Sequence, residues 1–232
     1  MIDPILHTPR LTLIRLTDTN PGSHHVQWFH ENWTDVSATA WSLHGPCTSV
    51  AESREWMTRQ LTEWDNWFYA VFEKPDGEKD RLAYRGDGVR ESGGQGKLGT
   101  HLGSVSLRLQ RSGPTLMPPA SFDGDAGQQV GKEVTGSLNL RVIGYALFDA
   151  ARGKGVATEA SQAVLDAYRA SITPEERARE MFYVEGAVDE GNPGSVSVLK
   201  KLGFMKVGWK NEEKVWLAGG WRDGVWVYGL YL

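Results

Sequence analysis

The chain has 232 residues, with 25 Lys and Arg against 29 Asp and Glu for a formal charge of −4, and 40% hydrophobic against 23% charged residues. That profile excludes a disordered or fibrous chain, and the length suffices to bury a core without metal or disulfide staples. With no long Lys/Arg run, general nucleic-acid binding is excluded too, because it needs clustered cations, whereas a cationic or amine-bearing partner remains compatible. Met1 to Arg10 carries Asp3, Pro4 and Pro9 where a secretory leader needs an apolar stretch, and no segment approaches 18 apolar residues, so neither leader nor membrane span is expected.

Leu11 to Leu16 alternates as a first strand behind Pro9. Helices are predicted from about Ser23 to Asn32 and from Ser49 through Trp56, Leu61 and Trp64. The only cysteine, Cys47, lies between them; it forbids an intramolecular disulfide and points to a reducing, cytoplasmic setting. Trp67 to Phe72 reads as a buried strand ended by Lys74-Pro75-Asp76-Gly77. Gly- and Pro-rich composition marks insertions at about 75–98 and 111–136, with an alternating strand at Leu98 to Leu109 between them. A strand at Leu138 to Phe148 then leads through a glycine-rich turn into a helix over Gly155 to Ser171. A strand at Phe182 to Val188, a short helix at Pro193 to Lys201 and strands at Phe204 to Lys210 and Val225 to Leu232 close the chain. No repeat of fixed period is present, and the alternation indicates an α/β or α+β fold.

The most informative segment is Arg152-Gly153-Lys154-Gly155-Val156-Ala157, which joins a strand to a helix N-terminus. Such a junction suits phosphate: glycines let backbone N–H groups approach the anion, the helix dipole favours negative charge, and Arg152 and Lys154 add cations. Alone it could equally be a solvated basic turn. It is neither a Walker loop nor the Gly-x-Gly-x-x-Gly dinucleotide fingerprint.

The same hexapeptide resembles the Arg/Gln-x-x-Gly-x-Gly/Ala acetyl-coenzyme A signature of the GNAT N-acetyltransferase superfamily, and Thr158-Glu159-Ala160 is similar to that family's helix start. Asn192-Pro193-Gly194-Ser195, followed by Val198-Leu199-Lys200-Lys201-Leu202-Gly203-Phe204, resembles the Asn-x-x-Ser helix and Lys-Leu-Gly-Phe close of the Rim-type branch, which acetylates ribosomal-protein N-termini and related amines. Thr8 to Arg15 is similar to that branch's opening strand. The likeness runs from Thr8 to the strand at Trp221 to Tyr228; the two insertions lie outside it.

The resemblance implies one domain over residues 1–232, with a mixed, mostly antiparallel central sheet splayed at the cofactor site and helices on both faces. Acetyl-coenzyme A is the implied acyl donor. The implied acceptor is an amine, on a small molecule or a peptide, and the chain is a monomer or homodimer. Ala146, Leu147 and Phe148 are expected to offer main-chain hydrogen bonds to the pantetheine arm, and the amides of Gly153, Lys154, Gly155, Val156 and Ala157 a seat for the pyrophosphate beside Arg152. Asn192 and Ser195 are expected to reach the pantetheine and the sulfur; Asn192 also suits a helix N-cap.

Direct attack on a thioester requires that an amine with a pKa of about 10.4 first lose its proton. Many members of the family carry a tyrosine general acid at the position of Leu199, which cannot donate, so Ser195 becomes the candidate for protonating or hydrogen-bonding the sulfur, with a helix-surface serine as its alternative. Glu185 stands in an otherwise apolar strand as the candidate base, or as an outward-facing strand residue. Asp189 and Glu190 read as solvated and His101 as an exposed turn histidine. Most of the ten tryptophans suit a core; Trp41, beside Tyr145, is the candidate acceptor wall, where aromatic faces attract a cation. The six histidines show no metal spacing, His24 and His25 being adjacent, so no metal is expected. Two other readings are a non-catalytic acyl-coenzyme A sensor on the same scaffold and a nucleotide-binding protein using the same loop.

Overall fold

The computed structural model describes residues 3–75, 98–119 and 137–232, so most of both insertions lies outside the described residues. The strands are β1 (Ile5–His7), β2 (Leu11–Arg15), β3 (Trp67–Glu73), β4 (His101–Leu109), β5 (Ser137–Leu147), β6 (Glu180–Val188), β7 (Met205–Leu217) and β8 (Gly220–Tyr231). The helices are α1 (His24–Thr34), α2 (Val50–Thr62), α3 (Val156–Ser171), α4 (Pro174–Arg179) and α5 (Pro193–Lys201), with a 3-10 turn at Asp149–Ala151. Among the described residues the strands form one sheet in the order β1-β2-β3-β4-β5-β6-β8-β7, and only β5 and β6 pair in parallel.

Period explains the layers. In α3, Val156, Ala160, Val164, Leu165 and Tyr168 recur at helical spacing and are buried, so this helix lays one apolar stripe on the sheet. It meets Leu11, Leu13, Trp67, Tyr69, Val71, Val105, Leu107, Phe182 and Val184 on one face of the strands. On the other face, α1 and α2 bring Val26, Phe29 and Met57 against Phe68, Ala70 and Phe72. The strand over 67–72 is therefore apolar at every position because both faces are covered.

Two elements go beyond the sequence expectation. β1 is three residues long and exists through its pairing with β2, and α4 starts at a capping box in which Thr173 and Glu176 satisfy each other's backbone N–H groups. The closing hairpin is also longer than expected, because β7 continues through Glu212, Glu213 and Lys214, an edge whose charges discourage further pairing. Among the described residues, no helix is long and apolar enough to cross a membrane.

The register positions the site. β5 and β6 pair from Ser137 opposite Glu180 to Val142 opposite Glu185. Beyond that point β5 stays with β4 as far as Leu147 and β6 stays with β8 as far as Val188, so the two parallel strands part.

Candidate functional site

The wedge between β5 and β6 opens toward the N-terminus of α3, and the chain between them is held by a side chain from far upstream. Gly153 and Gly155 adopt left-handed φ values of +72° and +79°, which turn the backbone sharply into the helix. Gly155 is the N-cap residue and supplies no side-chain cap, so the first amides of α3 are left to an outside acceptor. Arg10 donates from Nη1 to the Lys154 carbonyl at 2.9 Å and brackets Glu159 Oε2 with Nε and Nη2 at 2.7 and 2.6 Å. The Arg10 N–H also donates to Glu159 Oε1, which accepts from Thr8 as well. Burial pushes the Glu159 carboxyl up, but the Thr8 hydroxyl and the Arg10 N–H and guanidinium outweigh it and hold the group below its ordinary value. The outcome is a glycine loop fixed before any ligand arrives, with helix N–H groups and the dipole aimed outward.

Of the two expected cations, Lys154 is exposed, whereas Arg152 is engaged. Its guanidinium pairs with Asp149 at 2.8 Å and donates to the Ser37 carbonyl. Val156 and Ala157 are buried, so only their main chain is available to a ligand.

The main chain of β5 divides by alternation. Phe148 donates its N–H to Leu102 O and accepts at its carbonyl from Ala151 N–H, and the Ala146 carbonyl accepts from Asn32 Nδ2. The groups of Phe148 and Ala146 therefore serve the β4 side, and those of Leu147, Tyr145 and Ile143 point into the wedge. Of the three residues expected to offer main-chain hydrogen bonds, Ala146 and Phe148 turn theirs toward β4, whereas Leu147 turns its own into the wedge, as do Tyr145 and Ile143. Asn32 is an unanticipated part of this arrangement: 1% exposed, it also accepts from Ser104 Oγ at 2.6 Å and ties α1 to both strands.

Tyr145 faces α3 and α5, and its hydroxyl donates to the Ser195 carbonyl at 3.2 Å, bridging the two sides of the wedge. Burial raises its phenol to about 12, so it stays protonated throughout the neutral range. Asn192 is the N-cap of α5, its Oδ1 accepting from Ser195 N–H at 3.1 Å. Ser195 itself is half-buried in the first turn of α5. Leu199 is buried, with its methyls against Gly186, where a Cβ would collide at 2.7 Å. Trp41 carries the Arg222 guanidinium 5.2 Å over its ring and sits in the α1–α2 connection, so Trp41 and Tyr145 engage different partners.

Glu185 is not the outward-facing residue of the alternative reading. It is 1% exposed, stands at the last β5–β6 pair, and both carboxylate oxygens lie near 3 Å from the Thr115 N–H, which donates to them. By strand alternation it lies on the face opposite Tyr145, so the wedge has the phenol on one side and the carboxylate on the other. The segment at 111–119 that covers it also packs Leu116 against Gly208 and accepts from Tyr231 at Pro119 O.

Two further expectations are corrected. Asp189 is buried, accepting from Gly191 N–H at 2.7 Å and pairing with Arg222 at 3.5 Å. His101 begins β4 and lies largely buried between Phe72 and Phe148, its Nδ1 2.9 Å from Glu31 and its Nε2 3.1 Å from Gly103 O. Burial lowers its pKa, more than Glu31 and the Gly103 carbonyl raise it. Sequence offered no signal for this pair, because Glu31 and His101 meet only through the packing of α1 on β4.

Comparison with known proteins adds an independent line. The family model described as "Acetyltransferase (GNAT) domain" matches residues 10–205. A curated relative, "Probable N-acetyltransferase YjcK" of Bacillus subtilis, is 34% identical over 90 residues, 39% of this chain and 45% of that protein, so the match spans less than half of the relative's length. The fold is similar to a GNAT-family acetyltransferase from Bacillus anthracis (TM-score 0.56, 15% identity, 98% of both chains). It is also similar to RimL, a ribosomal L7/L12 alpha-N-protein acetyltransferase in complex with coenzyme A (0.55, 16%, 98% of both). A third is the Vibrio cholerae spermidine N-acetyltransferase with coenzyme A and spermine (0.58, 14%, 97% of this chain and 96% of that one).

Proposed function

The chain belongs to the acetyltransferase (GNAT) family, and we propose that it transfers the acetyl group of acetyl-coenzyme A to a primary amine by direct attack, within one domain spanning the whole chain. The observation that carries this reading is the wedge between β5 and β6, which ends at a glycine-turned helix N-terminus bearing the Arg152–Ala157 signature. The residues fit the donor: the amides of Gly153 to Ala157 suit its pyrophosphate, Lys154 adds an exposed charge, and the wedge-facing main chain of Leu147, Tyr145 and Ile143 suits its pantetheine arm. Acetyl-coenzyme A supplies an activated acyl carbon and a thiolate leaving group.

This chain's own groups then divide the proton work. Glu185, on the far face of the wedge, accepts the proton of the incoming ammonium, directly or through water, so that the neutral amine attacks. Ser195 and the amide of Asn192 lie on the donor side, where the serine hydroxyl hydrogen-bonds the departing sulfur; Tyr145 fixes this end of α5 through the Ser195 carbonyl. The Trp41 ring already carries the Arg222 guanidinium, so the charge of the acceptor is left to other groups. That acceptor is a primary amine on a small molecule or a peptide, as spermidine and ribosomal-protein acetylation by proteins of the same fold suggest.

Thiol release from acetyl-coenzyme A, followed across polyamines, amino-terminal peptides and lysine peptides, tests the proposal. Turnover with an amine, and acetylated amine found by mass spectrometry, is the expected result. Binding without turnover across the whole panel would favour an acyl-coenzyme A sensor instead.

A further inference from the structure

Away from the wedge, the α1–α2 connection and the first turn of α2 bring together three side chains that sequence spacing did not flag. Ligand atoms of His44, Cys47 and Glu52 all lie within 4.8 Å of one another. We propose that these three residues form a binding site for a borderline divalent transition ion, zinc in the first instance, with water as the fourth ligand. The proposal revises the expectation of no metal, which rested on the spacing of the histidines and on there being one cysteine, too few for a Cys-rich zinc site.

Each donor is already aimed by a second contact. His44 Nδ1 lies 3.1 Å from the Gly45 carbonyl, which can only accept, and the ring stacks on Trp56 at 4.1 Å, so Nε2 is the nitrogen left to face a metal ion. Cys47 is 4% exposed and its N–H is anchored on Trp33 O at 2.7 Å, which fixes the backbone that carries the thiol. Glu52 Oε2 accepts from the Thr48 N–H and hydroxyl at 2.6 and 2.7 Å, which orients the carboxylate. Oriented first ligands with satisfied outer partners are what a metal site requires beyond its donor atoms.

The chemistry of the set selects the ion. One imidazole, one thiolate and one carboxylate match zinc's preference for mixed N, S and O ligands and exclude magnesium or calcium, which take oxygen. The N-terminal dipole of α2 opposes a cation here, but a thiolate and a carboxylate together neutralise a divalent charge. Tetrahedral bonds of ordinary zinc length place donors roughly 3.4–3.6 Å apart, so closure needs about 1 Å of movement. His44 and Glu52, nearer the surface, can supply it by side-chain rotation while Cys47 stays fixed.

The position gives the ion a consequence. The same connection binds Asp149 and Arg152 through Ser37, the β7–β8 turn through Ala40 O and Ala218 N–H, and Arg222 through Trp41. A metal clasp at His44, Cys47 and Glu52 would fasten the far end of this strap to α2 and stiffen the wall beside the wedge.

Calorimetric titration of the reduced full-length protein with zinc, and with cobalt(II) followed by near-ultraviolet absorption, tests the site without any acyl donor. One equivalent should bind, cobalt should give a thiolate charge-transfer band, and zinc should raise Tm. Cys47→Ser should abolish the band, and His44→Ala and Glu52→Gln should each weaken zinc binding by more than about tenfold. Should Cys47→Ser fail to fold, the two surface variants carry the test alone. A cobalt spectrum without a thiolate band, or zinc affinity that His44→Ala and Glu52→Gln leave intact, would overturn the proposal.

Discussion

Gly155 is the position at which the proposed pyrophosphate seat is most exposed to a single substitution. Its φ of +79° is a left-handed conformation that costs a side-chain-bearing residue roughly 1–2 kcal/mol. A Cβ there would lie 3.3 Å from Arg10 Nη2, so the guanidinium that holds the Lys154 carbonyl must give slightly. Gly155→Ala should therefore lower Tm by on the order of 2–8 °C, given the size of the chain, and weaken coenzyme A several-fold. Gly155→Asp adds a charge next to the seat. Two like charges about 6 Å apart at an effective dielectric of 20 repel by roughly 3 kcal/mol, which is about a hundredfold in affinity. Calorimetric Kd values for coenzyme A, with Tm as the folding control, measure both effects. A folded Gly155→Asp variant that binds within twofold of the parent would refute the seat.

Glu185→Gln keeps an acceptor for the Thr115 N–H but removes the base, so kcat should fall at least a hundredfold with coenzyme A affinity unchanged; an unaltered kcat would remove Glu185 from the proton path. Tyr145→Phe loses the bond to the Ser195 carbonyl and should cost about 1 kcal/mol of stability, read from denaturant midpoints. Because that phenol titrates only near 12, the same variant should leave the neutral pH profile of kcat unshifted, and a moved inflection would contradict the assignment. His101 has its folded pKa below the ordinary 6.5, so the unfolded chain binds the extra proton. The contribution of neutral His101 is then full above 6.5 and declines as pH falls toward the folded pKa. Thermal unfolding of the parent and of His101→Gln across this range should diverge as pH rises; a constant difference would contradict the burial argument.

Patterns that depend on one element were readable in the chain. The run Trp67–Phe72, the alternation of Leu11–Leu16 and the helical spacing from Val156 to Tyr168 each report local burial, and each corresponds to its element within a residue or two. The capping box at Thr173–Glu176 was a legible signal that composition masked. β1 was not legible, because three residues become a strand only by pairing with β2. Charged Glu212, Glu213 and Lys214 conceal the continuation of β7 because an edge strand there faces solvent.

The site divides in the same way. The glycine loop and the N-cap at Asn192 are properties of short segments, and both were visible as patterns. The burial of Glu185 depends on Thr115, seventy residues earlier, and the fixing of the loop depends on Arg10 reaching Glu159 and Lys154. The Asn32 bond to Ala146 and the His101–Glu31 contact likewise need α1 docked on the sheet. Side-chain type made these residues candidates at most; tertiary proximity assigned their partners.

Calorimetric titration of the purified protein with acetyl-coenzyme A, coenzyme A and ATP in parallel tests the central claim most directly. Saturable binding of both coenzyme A species at one site, lost in Gly155→Asp and absent with ATP, is the predicted result. No binding of either coenzyme A species to the folded protein, or an equal response to ATP, would contradict the account.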